Sequence, residues 1–152
     1  MAEIAGEIMI SRPADVVFDY VADQSNEPDY NPRMVRAEKL TAGPVGKGTR
    51  FRSVVATTGR TAQMDIEITY YDRPRMLTTA TMMAQADIGY TLTFEPAAAG
   101  TLMRWSGQVH PKGVLRLVGP LIAWAGTRQE HRVWASLKQH LEAPGAPARE
   151  GR

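Results

Sequence analysis

The stretch TAQMDIEITYY at residues 61–71 alternates apolar and polar side chains along its whole length. One face carries Ala62, Met64, Ile66, Ile68 and Tyr70, and the other carries Thr61, Gln63, Asp65, Glu67 and Thr69. A period of two predicts a β-strand, because successive side chains of a strand point to opposite faces of the sheet. One apolar face and one polar face indicate a sheet that is covered on one side and wet on the other.

The segments around this stretch repeat the alternation between short turns. The turn signals are Gly43-Pro44, Gly46-Lys47-Gly48, Thr58-Gly59-Arg60, Asp72-Arg73-Pro74 and the run from Pro96 to Gly100. They delimit strands at 34–41, 49–57, 61–71, 75–83, 87–95 and 101–109. Six consecutive strands joined by short turns predict an antiparallel meander, and the alternating segment 3–10 adds a seventh strand.

Two regions of the chain have helical rather than alternating patterns. Residues 13–22 follow the capping candidate Ser11 and place Val17, Phe18 and Val21 on one face. The next stretch, 23–33, contains two prolines and predicts one further helical turn and then a loop. Residues 112–142 repeat apolar side chains at three- and four-residue steps, at Leu115, Val118, Ile122, Trp134, Leu137 and Leu141. Gly119-Pro120 should break this run, leaving a short lead-in and a long helix over about 120–142.

These elements predict an α+β fold with a space inside it. The apolar face of the sheet must be covered, and the C-terminal helix is the element long enough to cover it. A twisted, curved sheet wrapped on one helix does not close perfectly, and the gap between them is a natural ligand site. We therefore expect a single domain over residues 1–142 and a disordered tail over the Pro/Gly/Ala-rich residues 143–152.

Composition excludes several classes of protein. The 152 residues contain no cysteine, which removes disulfides, thiolate nucleophiles and cysteine metal sites. A net charge of +2 with scattered basic residues gives no reason to expect a nucleic-acid partner. The three histidines form no metal-binding motif, and no cofactor-binding motif occurs, so we expect neither a metal nor a cofactor. No apolar run of about 18 residues and no signal peptide is visible, which makes a cytoplasmic location the default expectation.

The order of strand, helix pair, strand meander and long helix resembles the helix-grip domains of the START-related SRPBCC superfamily (START/Bet v-like). It is most similar to the polyketide cyclase/dehydrase-like branch. The matching motifs are residues 11–23, Asn26-x-Pro28-x-Tyr30-x-Pro32, residues 43–51, Tyr71-Asp72-Arg73-Pro74-Arg75, residues 93–96, Gly100-Thr101 and residues 137–142. Such proteins often have Trp where this chain has Tyr30. The resemblance implies the helix-grip fold, and it implies cyclase or dehydratase chemistry on a polyketide-like substrate in some relatives.

Ten residues are candidates for contact with a ligand, because the patterns place them near the inner surface of the sheet or on the covering helix. They are Tyr30, Phe51, Met64, Ile66, Ile68, Tyr90, Leu92, Met103, Trp105 and Ile122. Tyrosine and tryptophan combine an apolar body with a polar tip that can orient a ligand. The methionines Met64, Met82, Met83 and Met103 fall in predicted strands and would suit either plain core packing or an adaptable pocket.

Three functional hypotheses remain open at this point. The first is a binding or carrier module for a hydrophobic lipid-, polyketide- or aromatic-type molecule. The second is an enzyme acting on such a molecule, with Tyr30, Tyr90 and His110 as catalytic candidates, although the favoured interpretation of His110 is a solvated loop residue. The third is a protein-interaction module. A buried titratable group in the cavity would favour the enzyme, and a large exposed apolar patch would favour the interaction module.

Overall fold

A computed structural model of the chain describes residues 2–57, 59–113, 117 and 119–143. Seven antiparallel strands form one sheet in the order β1-β7-β6-β5-β4-β3-β2. This order confirms the predicted meander, with the N-terminal strand returning to pair with the last one. The strands are β1 (Ala2–Ile10), β2 (Met34–Lys39), β3 (Arg50–Thr57), β4 (Arg60–Asp72), β5 (Met76–Met82), β6 (Ala86–Ala97) and β7 (Gly100–Pro111).

The helices also follow the predicted order. Helix α1 spans Ala14–Ala22, a 3-10 helix follows at Gln24–Asp29, and the long helix α2 spans Gly119–Glu142. Together with the curved sheet they form the α+β helix-grip arrangement. Half of the predicted lead-in segment 112–119 and all of the predicted disordered tail 143–152 except residue 143 lie outside the described residues.

The C-terminal end of α2 is hydrogen-bonded to the end of β1 and to the connection that follows it. Lys138 Nζ donates to the Met9 carbonyl at 2.7 Å, and Arg12 Nε donates to the Leu141 carbonyl at 2.6 Å. The last carbonyls of a helix have no partner within the helix, so a cation placed beside them stabilises its end. These bonds fix where α2 crosses the sheet.

The apolar core lies between α1, α2 and the concave face of the sheet. Phe18 of α1 packs edge-on against Tyr71, with ring centroids 5.2 Å apart, and against Phe94 at 5.1 Å. Leu137 and Leu141 of α2 are fully buried in the same cluster. Helix α2 therefore covers the apolar face, as the sequence predicted.

The predicted orientation of Tyr70 was wrong. Its side chain is 48% exposed, whereas Tyr71 is half-buried against the core. The pairing of β4 with β5 shifts register between Ile68 and Tyr70. A β-bulge inserts one extra residue and so reverses which side chains face inward, an irregularity that simple alternation does not reveal.

The outer face of the sheet carries exposed ion pairs. Arg52 Nε lies 3.0 Å from Asp65 Oδ1, and Arg50 Nε lies 3.5 Å from Glu67 Oε1. Arg104 Nε lies 3.1 Å from Glu7 Oε1. This agrees with the interpretation of these strand faces as solvated. Exposed pairs of this kind are screened by solvent and add little stability.

We predict that Gly6→Ala destabilises the fold and that Gly89→Ala does not. A Cβ atom at Gly6 would lie 2.4 Å from Trp105 Cζ2, whereas a Cβ at Gly89 would meet nothing within 4 Å. Overpacking of a closed core costs about 1–3 kcal/mol. Replacing glycine by alanine in a strand with free space is neutral or slightly favourable, by about 0.5–1 kcal/mol. Urea unfolding of the two variants measures the difference, and equal free energies of unfolding would contradict it.

Candidate functional site

An inner cavity of about 160 Å³ lies between the sheet and α2. Its wall on the sheet side is mainly apolar and comes from β1, β4, β5 and β6. The remaining wall comes from the 3-10 helix and α2. The lining residues are Ile4, Gln24, Glu27, Met64, Ile66, Leu77, Thr79, Thr81, Ile88, Tyr90, Leu92, Glu130 and Trp134.

Helix α2 contributes Glu130 and Trp134 to the cavity. The two residues are four positions apart and therefore lie on one helix face, together with the fully buried Leu137. The indole of Trp134 packs against Tyr30, Tyr90 and Trp105, with ring centroids 6.0–6.4 Å apart. An aromatic cluster of this kind restricts rotation of the Trp134 side chain and fixes the position of this part of the helix on the sheet.

Tyr90 of β6 links Trp134 to Glu130. Trp134 Nε1 donates to the Tyr90 hydroxyl at 2.9 Å, and Tyr90 is hydrogen-bonded in turn to the Glu130 carboxylate. Since the tryptophan N–H can only donate, the Tyr90 hydroxyl uses its own proton for Glu130. Space for the tyrosine ring depends on Gly107 opposite it in β7, where a Cβ would lie 2.9 Å from Tyr90 Cδ2.

The 3-10 helix contributes Glu27 to the cavity. The amide of Asn31 donates to Glu27 Oε1 at 2.8 Å, and its carbonyl oxygen accepts from the backbone N–H of Arg33 at 3.1 Å. Asn31 is itself buried, so these two bonds fix its orientation. The proline-rich segment 23–33 thereby holds a carboxylate at the cavity wall.

Burial perturbs both carboxyl groups. Burial raises the pKa of Glu130 to about 7, and the nearby Glu27 carboxylate adds to this shift, while the hydrogen bond from Tyr90 opposes it. Burial likewise raises the pKa of Glu27, opposed by the hydrogen bond from Asn31. A carboxyl group with a pKa near neutrality can accept or donate a proton under physiological conditions.

Four of the ten predicted ligand residues line the inner cavity: Met64, Ile66, Tyr90 and Leu92. Five others lie buried in the surrounding core without lining the cavity, namely Tyr30, Phe51, Ile68, Met103 and Trp105. The side chain of Ile122 is outside the described part of the chain. The remaining catalytic candidate, His110, is exposed near the end of β7, away from the cavity.

The methionines do not form a common pocket surface. Met64 lines the inner cavity, Met103 is fully buried in the core, and Met82 is 62% exposed. Of these three methionines, Met64 is the one that lies at the wall of the inner cavity, where a flexible side chain could adapt to a ligand.

Sequence reasoning missed both acidic residues of the cavity. Glu130 had a usable signal, because it lies four residues before Trp134 on the helix face that the apolar repeat predicts to be buried. A carboxylate on such a face is unusual. Glu27 had no such signal, since the segment 23–33 has no periodic pattern and the hydrogen bond from Asn31 depends on the local 3-10 conformation.

Among the described residues, no group of three or more potential ligands is placed to hold a metal ion. No described helix is long and apolar enough to span a membrane.

We predict that Glu130→Gln stabilises the protein at and above pH 7. The pKa of Glu130 is raised on folding, so its contribution favours the folded state below about pH 4.5 and is lost as the pH rises through about 7. The glutamine variant avoids this loss, and its advantage should reach up to about 3 kcal/mol at pH 8 and disappear towards pH 4.5. Chemical unfolding at several pH values measures the advantage. Glu3→Gln, which removes an exposed carboxylate, is the control, and the same pH dependence in both variants would contradict the prediction.

Comparison with known proteins gives the family of the chain. Residues 1–142 match the family described as polyketide cyclase / dehydrase and lipid transport. No curated protein matches the chain significantly.

Solved structures share the fold at low sequence identity. A START superfamily protein from Mycobacterium smegmatis superposes with a TM-score of 0.81 at 15% identity, covering 93% of this chain and 98% of that one. A protein from Thermus thermophilus gives 0.77 at 17% identity, covering 90% and 94%. The Zhui aromatase/cyclase from a Streptomyces species gives 0.75 at 14% identity, covering 95% and 98%. The family match over nearly the whole length and these similarities of fold lead to one conclusion: the chain belongs to the polyketide cyclase / dehydrase and lipid transport family.

Proposed function

We propose that the chain binds a small hydrophobic molecule in the inner cavity. The observation that carries this proposal is the partly open, mainly apolar cavity between the sheet and α2, whose lining includes Tyr90, Glu27 and Glu130 as hydrogen-bonding groups. Ligand sites in proteins typically combine apolar walls with a few well-placed polar groups. The family match, which includes lipid transport, supports the same function.

The volume of the inner cavity limits the size of the enclosed part of the ligand. At about 160 Å³, it is similar to an engineered cavity of about 150 Å³ in another protein that accommodates benzene. One aromatic ring or a short alkyl chain therefore fits inside. A longer ligand would extend towards solvent or require the cavity to widen.

We predict that ring-sized aromatic compounds raise the melting temperature of the wild-type protein and not that of Thr79→Phe. Thr79 is buried, lines the inner cavity and pairs with Tyr90 across β5 and β6, so a phenylalanine side chain there would occupy the ligand space. At about a hundred times the dissociation constant, a ligand stabilises the fold by about 2.7 kcal/mol. For a chain of this size, that is a rise of roughly 5–10 °C.

The matched control for this experiment is Thr78→Phe, which places the same side chain on the opposite face of β5. The panel contains single-ring aromatics, flavonoids, aromatic polyketides, sterols and fatty acids, measured by thermal unfolding. An equal shift in wild type and Thr79→Phe would place the ligand elsewhere. No shift with any compound would contradict the proposed function.

A second candidate function is acid–base catalysis on the bound molecule, because the pKa of Glu130 is about 7 and its carboxyl group lies in a cavity that can hold a substrate. In the dehydration of a β-hydroxy ketone, the Glu130 carboxylate would accept the proton on the carbon between the carbonyl and the hydroxyl-bearing carbon. The C–O bond would then break as the C=C bond forms, and the same proton would leave with the hydroxyl group as water. General acid–base catalysis of this kind contributes about 10²–10⁴-fold in rate.

We predict that this activity depends on Glu130. The probe is 4-hydroxy-4-phenylbutan-2-one, whose loss of water gives a conjugated enone that is followed by ultraviolet absorbance. Glu130→Gln should lower kcat by at least about 100-fold, and the wild-type rate should rise with pH through about 7. Glu3→Gln should leave the rate unchanged. Binding of the probe without turnover would contradict the catalytic candidate and leave the binding function intact.

A further inference from the structure

The polar part of the inner cavity is acidic and aromatic. Glu27 and Glu130 line the same space and interact electrostatically, and the rings of Tyr90 and Trp134 line it beside them. Among the described lining residues there is no lysine, arginine or histidine. Each carboxylate instead accepts a hydrogen bond from a neutral group, Asn31 for Glu27 and Tyr90 for Glu130.

A half-buried carboxylate without a cationic partner is costly for the free protein, since neutral donors compensate only part of the lost hydration. A cation bound inside the cavity would provide the missing partner. Aromatic faces add to this attraction, because the negative face of a tryptophan or tyrosine ring favours an ammonium group. Anionic ligands would meet two like charges in a space of low polarity, and they are disfavoured for the same reason.

The rest of the inner cavity selects an apolar body for the same ligand. Ile4, Met64, Ile66, Leu77, Ile88 and Leu92 surround the remaining space, and the hydroxyl groups of Thr79 and Thr81 add no charge. A molecule that satisfies both parts has one compact ammonium group attached to a ring or a short alkyl chain.

We propose that the ligand of this cavity is a small hydrophobic amine, held by its ammonium group between Glu27 and Glu130. This inference rests on the proposed binding function and narrows its ligand class. It distinguishes the chain from a general carrier of fatty acids, whose carboxylate head would be repelled by the same two residues.

The titratable groups around Glu130 make amine binding pH-dependent. Tyr90 approaches it from β6, Glu27 from the 3-10 helix, and Tyr30 interacts with it from the residue after that helix. On α2 itself, Arg128 and His131 are exposed and do not line the cavity. An alkylammonium group stays protonated below about pH 9, as lysine does. Amine affinity should therefore rise with pH as Glu130 loses its proton.

The experiment compares three probes of similar shape by titration calorimetry: 2-phenylethylamine, 2-phenylethanol and 3-phenylpropionate. At pH 8, the amine should bind the wild-type chain at least about tenfold more tightly than the alcohol, and the acid should bind most weakly. At pH 5.5, the amine should lose about tenfold in affinity, while the alcohol changes little. Glu27→Gln and Glu130→Gln should each remove most of the preference for the amine over the alcohol.

Glu3→Gln, which removes an exposed carboxylate, should retain the full preference. Equal binding of amine and alcohol, or tighter amine binding at pH 5.5 than at pH 8, would overturn the amine assignment. If the alcohol still binds in that case and its binding is lost in Thr79→Phe, the proposed function survives. If none of the three probes binds at millimolar concentrations, both the amine assignment and the proposed function fail.

Discussion

The packing of Trp134 against the sheet is the interaction on which the arrangement of the site depends. Helix α2 covers the concave face of a seven-stranded sheet together with α1, and Trp134 is where α2 meets Tyr90 of β6, Trp105 of β7 and Tyr30 beyond the 3-10 helix. Large aromatic rings fill much of the gap between the two layers, but a cavity remains beside them. The hydrogen bond from the indole to Tyr90 orients the hydroxyl group that reaches Glu130. Core packing and the chemistry of the cavity therefore depend on the same side chain.

The two carboxyl groups in the cavity lower the stability of the folded protein at neutral pH. An apolar residue at position 130 would extend the buried face formed by Trp134, Leu137 and Leu141 without a desolvation penalty. The glutamate instead has its pKa raised to about 7, which means that the folded state disfavours its charge. Perturbed groups of this kind concentrate at sites that bind or react. Glu27 adds a second such group from a different part of the chain. This increases the desolvation cost of folding and also the electrostatic attraction for a cation.

The pattern of apolar residues that specifies the fold does not specify the residues that line the cavity. Structures with 14–17% identity share the helix-grip architecture over nearly their whole length, because the alternating strands and the covering helix need only a pattern of apolar positions. That pattern is compatible with many different cavity linings. Ligand selectivity in such a fold is therefore set by the residues that line the cavity, and in this chain they include Glu27 and Glu130.

The fold follows from the pattern of apolar and polar residues along the chain. Alternation in TAQMDIEITYY and its neighbours specifies strands whose apolar faces must be covered, and Gly119-Pro120 locates the start of the covering helix near its observed position at Gly119. It also indicated Met64, Ile66, Tyr90 and Leu92 as inward-facing, because these positions follow the alternation. It could not show the bulge after Ile68, which turns Tyr70 outward, because that depends on pairing with β5. Folding alone brings Glu27 and Glu130 to the same cavity. Glu27 lies on the 3-10 helix, whose sequence has no periodic pattern, and Glu130 lies on the amphipathic helix α2, more than a hundred residues later.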